Sequence, residues 1–177
     1  ILAGLVVEII LRIGLSRLRK NIESQKTENR LTGALLVLAR SLLDILAIAG
    51  FAAAAFGTLT IMEISDEGRL AAVALIQANI IVRAILAISK MLLAPQIALF
   101  RVLPLKDETA NYLFVWAKRF ANLTVYGYFI LEAAFVVGLP VALYQTLLKF
   151  LGLATALLTI MVILQNRGAL STFFTKK

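Results

Sequence analysis

The 177-residue chain contains no cysteine and no histidine, and only three prolines. Without cysteine it has no disulfide, thiolate metal site or cysteine nucleophile, and without histidine it has no imidazole base. The prolines, Pro95, Pro104 and Pro140, stand between apolar segments, not within them. Charge is scarce too: 16% of residues are charged and 61% hydrophobic, with a mean hydropathy of +0.93. A soluble domain averages roughly 45–50% apolar and about 25% charged. The sequence carries no Gly-rich phosphate loop, metal-ligand spacing or nucleophile elbow, so neither enzymatic chemistry nor a cofactor is expected.

What the chain does have is apolar length. Residues 31–62, 70–94, 119–138 and 141–165 each approach or exceed the ~20 residues needed to cross a hydrocarbon core at 1.5 Å per residue. Residues 1–15 read as the remaining half of another crossing. The expected fold is all-α: about five transmembrane helices, the first truncated, paired as antiparallel hairpins. The chain opens inside an apolar run at Ile1 and closes on Lys176–Lys177, so it is expected to be part of a longer polypeptide.

The connections alternate in charge. Ser16 to Arg30 holds Arg17, Arg19, Lys20, Lys26 and Arg30 against Glu23 and Glu28, and reads as a solvated helical linker (16–30). A first hairpin follows at 31–94, turning at the acidic stretch Glu63-Ile64-Ser65-Asp66-Glu67-Gly68. Residues 95–110 form a connection in which 96–103, too short to span, is expected to lie flat at the interface with Arg101. Asp107 is a plausible N-cap for the helix that opens the second hairpin, 111–167. Gly138-Leu139-Pro140 makes its turn, and 168–177 is a basic tail. Basic residues crowd 16–30, 95–118 and 166–177, whereas 63–69 and 138–140 carry only Arg69. By the positive-inside rule the basic side is cytoplasmic. The net charge of +8 therefore points to topology and anionic lipid, not to nucleic acid.

Several ionisable groups fall within the apolar spans, where a charge costs roughly 2.5–3.5 kcal/mol on insertion scales. Each has a candidate partner. Glu8 and Arg12 are spaced i,i+4, as are Arg40 and Asp44. Arg83 should lie near the depth of Asp44 on the adjacent antiparallel helix, and Glu132 and Lys149 face each other across the hairpin, six and nine residues from its tip. Structural pairing is the expectation for all of them, with a proton relay as the alternative. Arg101, Trp116, Lys118 and Arg119 have the aromatic-plus-basic character of headgroup anchors. In 31–62, Gly50/Ala54 and Ala53/Gly57 give small-xxx-small spacing, read first as packing within the subunit.

The stretch Val125-Tyr126-Gly127-Tyr128-Phe129, with Glu132-Ala133-Ala134, Gly138-Leu139-Pro140, Leu147-Leu148-Lys149 and Ile163-Leu164-Gln165-Asn166-Arg167, resembles the N-terminal membrane region of large bacterial mechanosensitive channels of the small-conductance family. Leu92-Leu93-Ala94-Pro95 and Leu103-Pro104-Leu105 look similar to the same subgroup. The resemblance implies a homo-oligomer, a heptamer in that family, in the bacterial inner membrane, opening under tension to release solutes. It also implies that the pore helix lies outside this sequence, so no pore residue is assigned. These helices would be the peripheral array contacting membrane lipids. The transmembrane part of a secondary transporter, with Asn79, Arg83 and Asp44 at a midplane site, is the alternative; a membrane scaffold for a soluble domain is the third reading.

Overall fold

A computed structural model describes residues 2–24, 30–93 and 107–165. It is all-helical: five continuous helices follow one another and no strand occurs among the described residues. They are α1 (Leu2–Ser24), α2 (Arg30–Ile61), α3 (Asp66–Leu93), α4 and α5 (Val141–Gln165). The fourth, α4, runs without interruption through Asp107–Phe120, a π-helical stretch Ala121–Tyr126, and Gly127–Val136. Both junction residues, Phe120 and Gly127, keep right-handed helical dihedrals. The expected interfacial segment 96–103, Arg101 within it and the tail 168–177 lie outside the described residues.

Among the described residues three segments are long and apolar enough to cross a membrane: Leu42–Ile61, Asp66–Leu93 and Val141–Gln165. Their surfaces agree with that solvent. Leu143, Phe150, Leu153, Leu157, Ile160 and Leu164 of α5 are all about half exposed or more, and no residue of α5 is buried. A helix apolar all round, yet uncovered by protein, is one covered by lipid. This is a membrane protein. Hydroxyls obey the same constraint, because in hydrocarbon an unsatisfied donor has no water to turn to. Thr58, Thr60, Thr146, Thr155 and Thr159 each donate to a backbone carbonyl one turn earlier, at 2.7–2.9 Å.

The ends of the helices follow from local chemistry. At the start of α3 the Ser65 hydroxyl accepts from the Gly68 N–H at 3.3 Å, and Asp66 and Glu67 place negative charge at the positive end of the helix dipole. The α4–α5 turn closes by two crossed bonds: Leu139 N–H to the Ala134 carbonyl and Gly138 N–H to the Phe135 carbonyl, both 3.0 Å. This is a Schellman arrangement, and Gly138 takes the left-handed position with φ +110°. The carbonyl of Pro140 then accepts the N–H of Tyr144 at 3.0 Å and opens α5. Gly138→Ala should cost about 1–2 kcal/mol, the penalty for a Cβ in left-handed backbone. A denaturant titration in mixed micelles would measure it.

Each helix packs against its neighbours in sequence: α1 on α2, α2 on α3, α3 on α4 and α4 on α5. The core is accordingly thin and split. Phe51, Ala55 and Leu59 of α2 enclose Ile76 of α3. Ala71 and Ala74, on another face of α3, meet Ala133 of α4 beside Phe129. Alanine at this second contact lets the backbones approach closely, which suits association where no hydrophobic effect operates.

Candidate functional site

Two polar constellations lie within the apolar spans. The first joins α1, α2 and α3. Glu8 of α1, only 4% exposed, forms an ion pair with Arg83 of α3. The Arg83 guanidinium also stands 5.1 Å from the centre of the fully buried Phe51 ring on α2, a cation–π contact in a site shielded from water. Glycine makes this approach possible. A Cβ on Gly4, one turn before Glu8, would lie 2.9 Å from both the Phe51 ring and the Phe51 carbonyl oxygen. At Gly50 a Cβ would collide with Leu11, so the glycine of the Gly50/Ala54 pair is used in packing α1 on α2, within the chain. One turn before Arg83, the Asn79 carbonyl oxygen is buried without a hydrogen-bond donor among the described residues.

The expected partner of Arg83 needs correction. The described carboxylate on Arg83 is Glu8, from α1, instead of Asp44 on α2. Asp44 is half-buried and is itself engaged. The side chains of Arg12 and Arg40 lie outside the described residues.

The second constellation zips α4 to α5. At the wide end the Tyr112 hydroxyl donates to Gln165 Oε1 at 2.6 Å. Midway, the Thr124 and Thr155 hydroxyls meet at 3.4 Å. Near the turn the Tyr144 hydroxyl donates to Glu132 Oε2 at 2.9 Å, and the Tyr144 and Phe135 rings stack at 4.7 Å. Each pair straddles Gly138 almost symmetrically, as one antiparallel register requires. Between them Gly127 admits Leu151: a Cβ there would lie 2.6 Å from Leu151 Cδ1.

This register corrects the expected Glu132–Lys149 pair. Glu132 lies six residues before Gly138 and Tyr144 six after, whereas Lys149 lies eleven after. Lys149 is also about 140° round α5 from Tyr144, at 100° per residue. Its side chain is exposed and has no ion-pair or hydrogen-bond partner among the described residues.

Trp116 also departs from expectation. It is 4% exposed, so it cannot serve as a lipid-facing anchor. The first turns of α4 pack against α3, and Trp116 is enclosed with Tyr112, ring centroids 6.0 Å apart, and beneath the Arg119 guanidinium at 4.9 Å. Lys118 and Arg119 are exposed. Beside them an open groove of ≈ 750 Å³ runs between α4 and α5, lined by Arg119, Asn122 and Leu123 and by Leu157, Leu158 and Met161. Asn122 and Leu123 belong to the π-helical stretch. Such wide turns recur at functional positions in helices, and here the wide turn forms one wall of the groove.

The sequence reasoning missed the tyrosine clamps and the π turn. The only sequence signals for them are polar tips on Tyr112 and Tyr144 within apolar surroundings and a lone Gly127. The chain matches no family model, no curated protein and no solved structure.

Proposed function

We propose that these helices form a multi-pass, lipid-facing array that couples bilayer tension to a channel pore, as in the small-conductance mechanosensitive family, within a homo-oligomer in a bacterial inner membrane. The single observation that carries this reading is that the helices pack in a row, each against its neighbours in sequence apart from the Glu8–Arg83 bridge from α1 to α3, with a thin alanine contact between α3 and α4 and no buried residue on α5. Such a row offers lipid a large perimeter for its mass. Tension does work in proportion to the change in in-plane area, so it favours whichever packing of the row has the wider footprint.

The two constellations then divide the labour. The Glu8–Arg83–Phe51 contact holds α1, α2 and α3 as one unit. Hydroxyl and amide contacts between α4 and α5 are individually modest, about 0.6–2 kcal/mol in membranes, so the outermost pair is the easier place to yield. Lys118 and Arg119 at the mouth of the α4–α5 groove supply positive charge for lipid phosphate, while Leu123, Leu157, Leu158 and Met161 match an acyl chain. The transporter reading loses support because Arg83 is occupied by Glu8 and Phe51 instead of lining an open site.

Patch-clamp recording tests the proposal. Membranes carrying the protein should open at a different threshold tension once these five helices are deleted. An unchanged threshold would overturn the reading.

A further inference from the structure

Lys149 is out of place if α5 is surrounded by lipid alone. The residue lies ten positions from the turn at Leu139 and nine before Leu158, the residue level with Arg119 across the hairpin. At 1.5 Å per residue those separations are about 15 and 14 Å, so Lys149 stands near the middle of a slab whose hydrocarbon is about 30 Å thick. A lysine side chain can snorkel only part of that distance. The side chain is exposed, and the nearest carboxylate on the packed helix, Glu132, is bound to Tyr144 on another face.

The surroundings of Lys149 differ from the rest of α5. Residues turned towards α4, Tyr144, Leu148, Leu151, Thr155 and Leu158, are half-buried. About 110° round the helix from them, at 100° per residue, Gln145, Lys149, Gly152 and Ala156 are all exposed and share one stripe at helical spacing. A Cβ on Gly152 would meet nothing within 4 Å, so a notch stands open one turn from the amine. A buried charge in a membrane faces protein or pairs with an opposite charge.

Resting on the reading that α5 crosses the bilayer, we infer that the Lys149 face of α5 docks a partner transmembrane helix that carries an aspartate or glutamate at mid-depth. The charge selects the partner: an ammonium in hydrocarbon is satisfied by a carboxylate and repelled by another cation. Gly152 and Ala156 let the two backbones come close enough for the pair to form. The contact lies about 110° round α5 from the residues that face α4, so it leaves the Tyr112, Thr124 and Tyr144 contacts undisturbed.

The probe is a synthetic apolar helix of about 20 residues bearing one central glutamate, with central leucine and central lysine versions as controls. The full chain and each probe are labelled and reconstituted together in vesicles, and association is read by energy transfer. The glutamate helix should bind about tenfold more tightly than the leucine helix, as expected for a polar interhelical contact of ordinary strength, and the lysine helix more weakly than either. Lys149→Met should abolish the preference, and Gly152→Leu should reduce it several-fold. Equal binding of the three probes, a preference that survives Lys149→Met, or indifference to Gly152→Leu would each overturn the inference. A spin label on Leu153→Cys, read by lipid-depth quenching, keeps the two levels apart. A shallow label refutes the crossing of α5, whereas a mid-depth label with no probe preference refutes the pairing alone.

Discussion

Replacing Arg83 by leucine is expected to cost up to about 3–5 kcal/mol, because it takes the guanidinium away from the buried Glu8 carboxylate. Glu8 is 4% exposed, and Phe51, which the guanidinium also contacts, is completely enclosed. The reciprocal change, Glu8→Leu, should cost a similar amount for the same reason. The double variant should recover most of the loss, since two apolar side chains of matching volume remove both charges of the pair together. Unfolding of all four proteins in mixed micelles, treated as a double-mutant cycle, checks this. Additive single costs would show that the two side chains do not interact energetically.

Gly127→Leu should separate α5 from α4. Even a Cβ at this position approaches Leu151 Cδ1 to 2.6 Å and Cδ2 to 3.2 Å. A full leucine must displace the facing helix, at a cost of about 1–3 kcal/mol for overpacking. The flanking hydrogen bonds, Thr124 to Thr155 and Tyr144 to Glu132, would lengthen together. Leu151→Ala in the same chain should restore much of the stability by returning the volume. Unfolding midpoints of the single and double variants measure both effects; no rescue by Leu151→Ala would mean the cost arises within α4.

The positions of the helices are legible in the sequence because an apolar run must match the thickness of a hydrocarbon slab, a one-dimensional constraint. Likewise Gly138-Leu139-Pro140 announces its turn, since only a residue free of Cβ strain takes φ +110° cheaply. Pairing is harder to read, because it depends on azimuth as well as depth. Glu132 and Lys149 seemed comparable by their distance from the turn, but about 140° of helix rotation separates Lys149 from the residue that binds Glu132. Depth alone places Arg83 near Asp44 on the adjacent helix, whereas Gly4 allows α1 to close over Phe51 and present Glu8.

Trp116 shows a third difficulty. An aromatic residue among lysine and arginine has the composition of a headgroup belt, but composition does not say which way a side chain points. The first turns of α4 lie against α3, and that contact turns Trp116 inwards. The π-helical stretch carries no mark within it: Ala121–Tyr126 contains neither proline nor glycine, and only Gly127 follows it.

A row that widens when the bilayer is stretched must lengthen distances across it, and spin labels measure those distances. The chain has no native cysteine, so two introduced ones are labelled without ambiguity. One label replaces exposed Ala53 on α2 and the other exposed Ala156 on α5. The protein is reconstituted in bilayers, and lysolipid added to one leaflet imposes tension. The distance between the labels should shift to longer values, while a pair within the α1–α3 unit, Ile10→Cys and Ile81→Cys, stays constant. Unchanged Ala53–Ala156 distances in the stretched bilayer would contradict that widening.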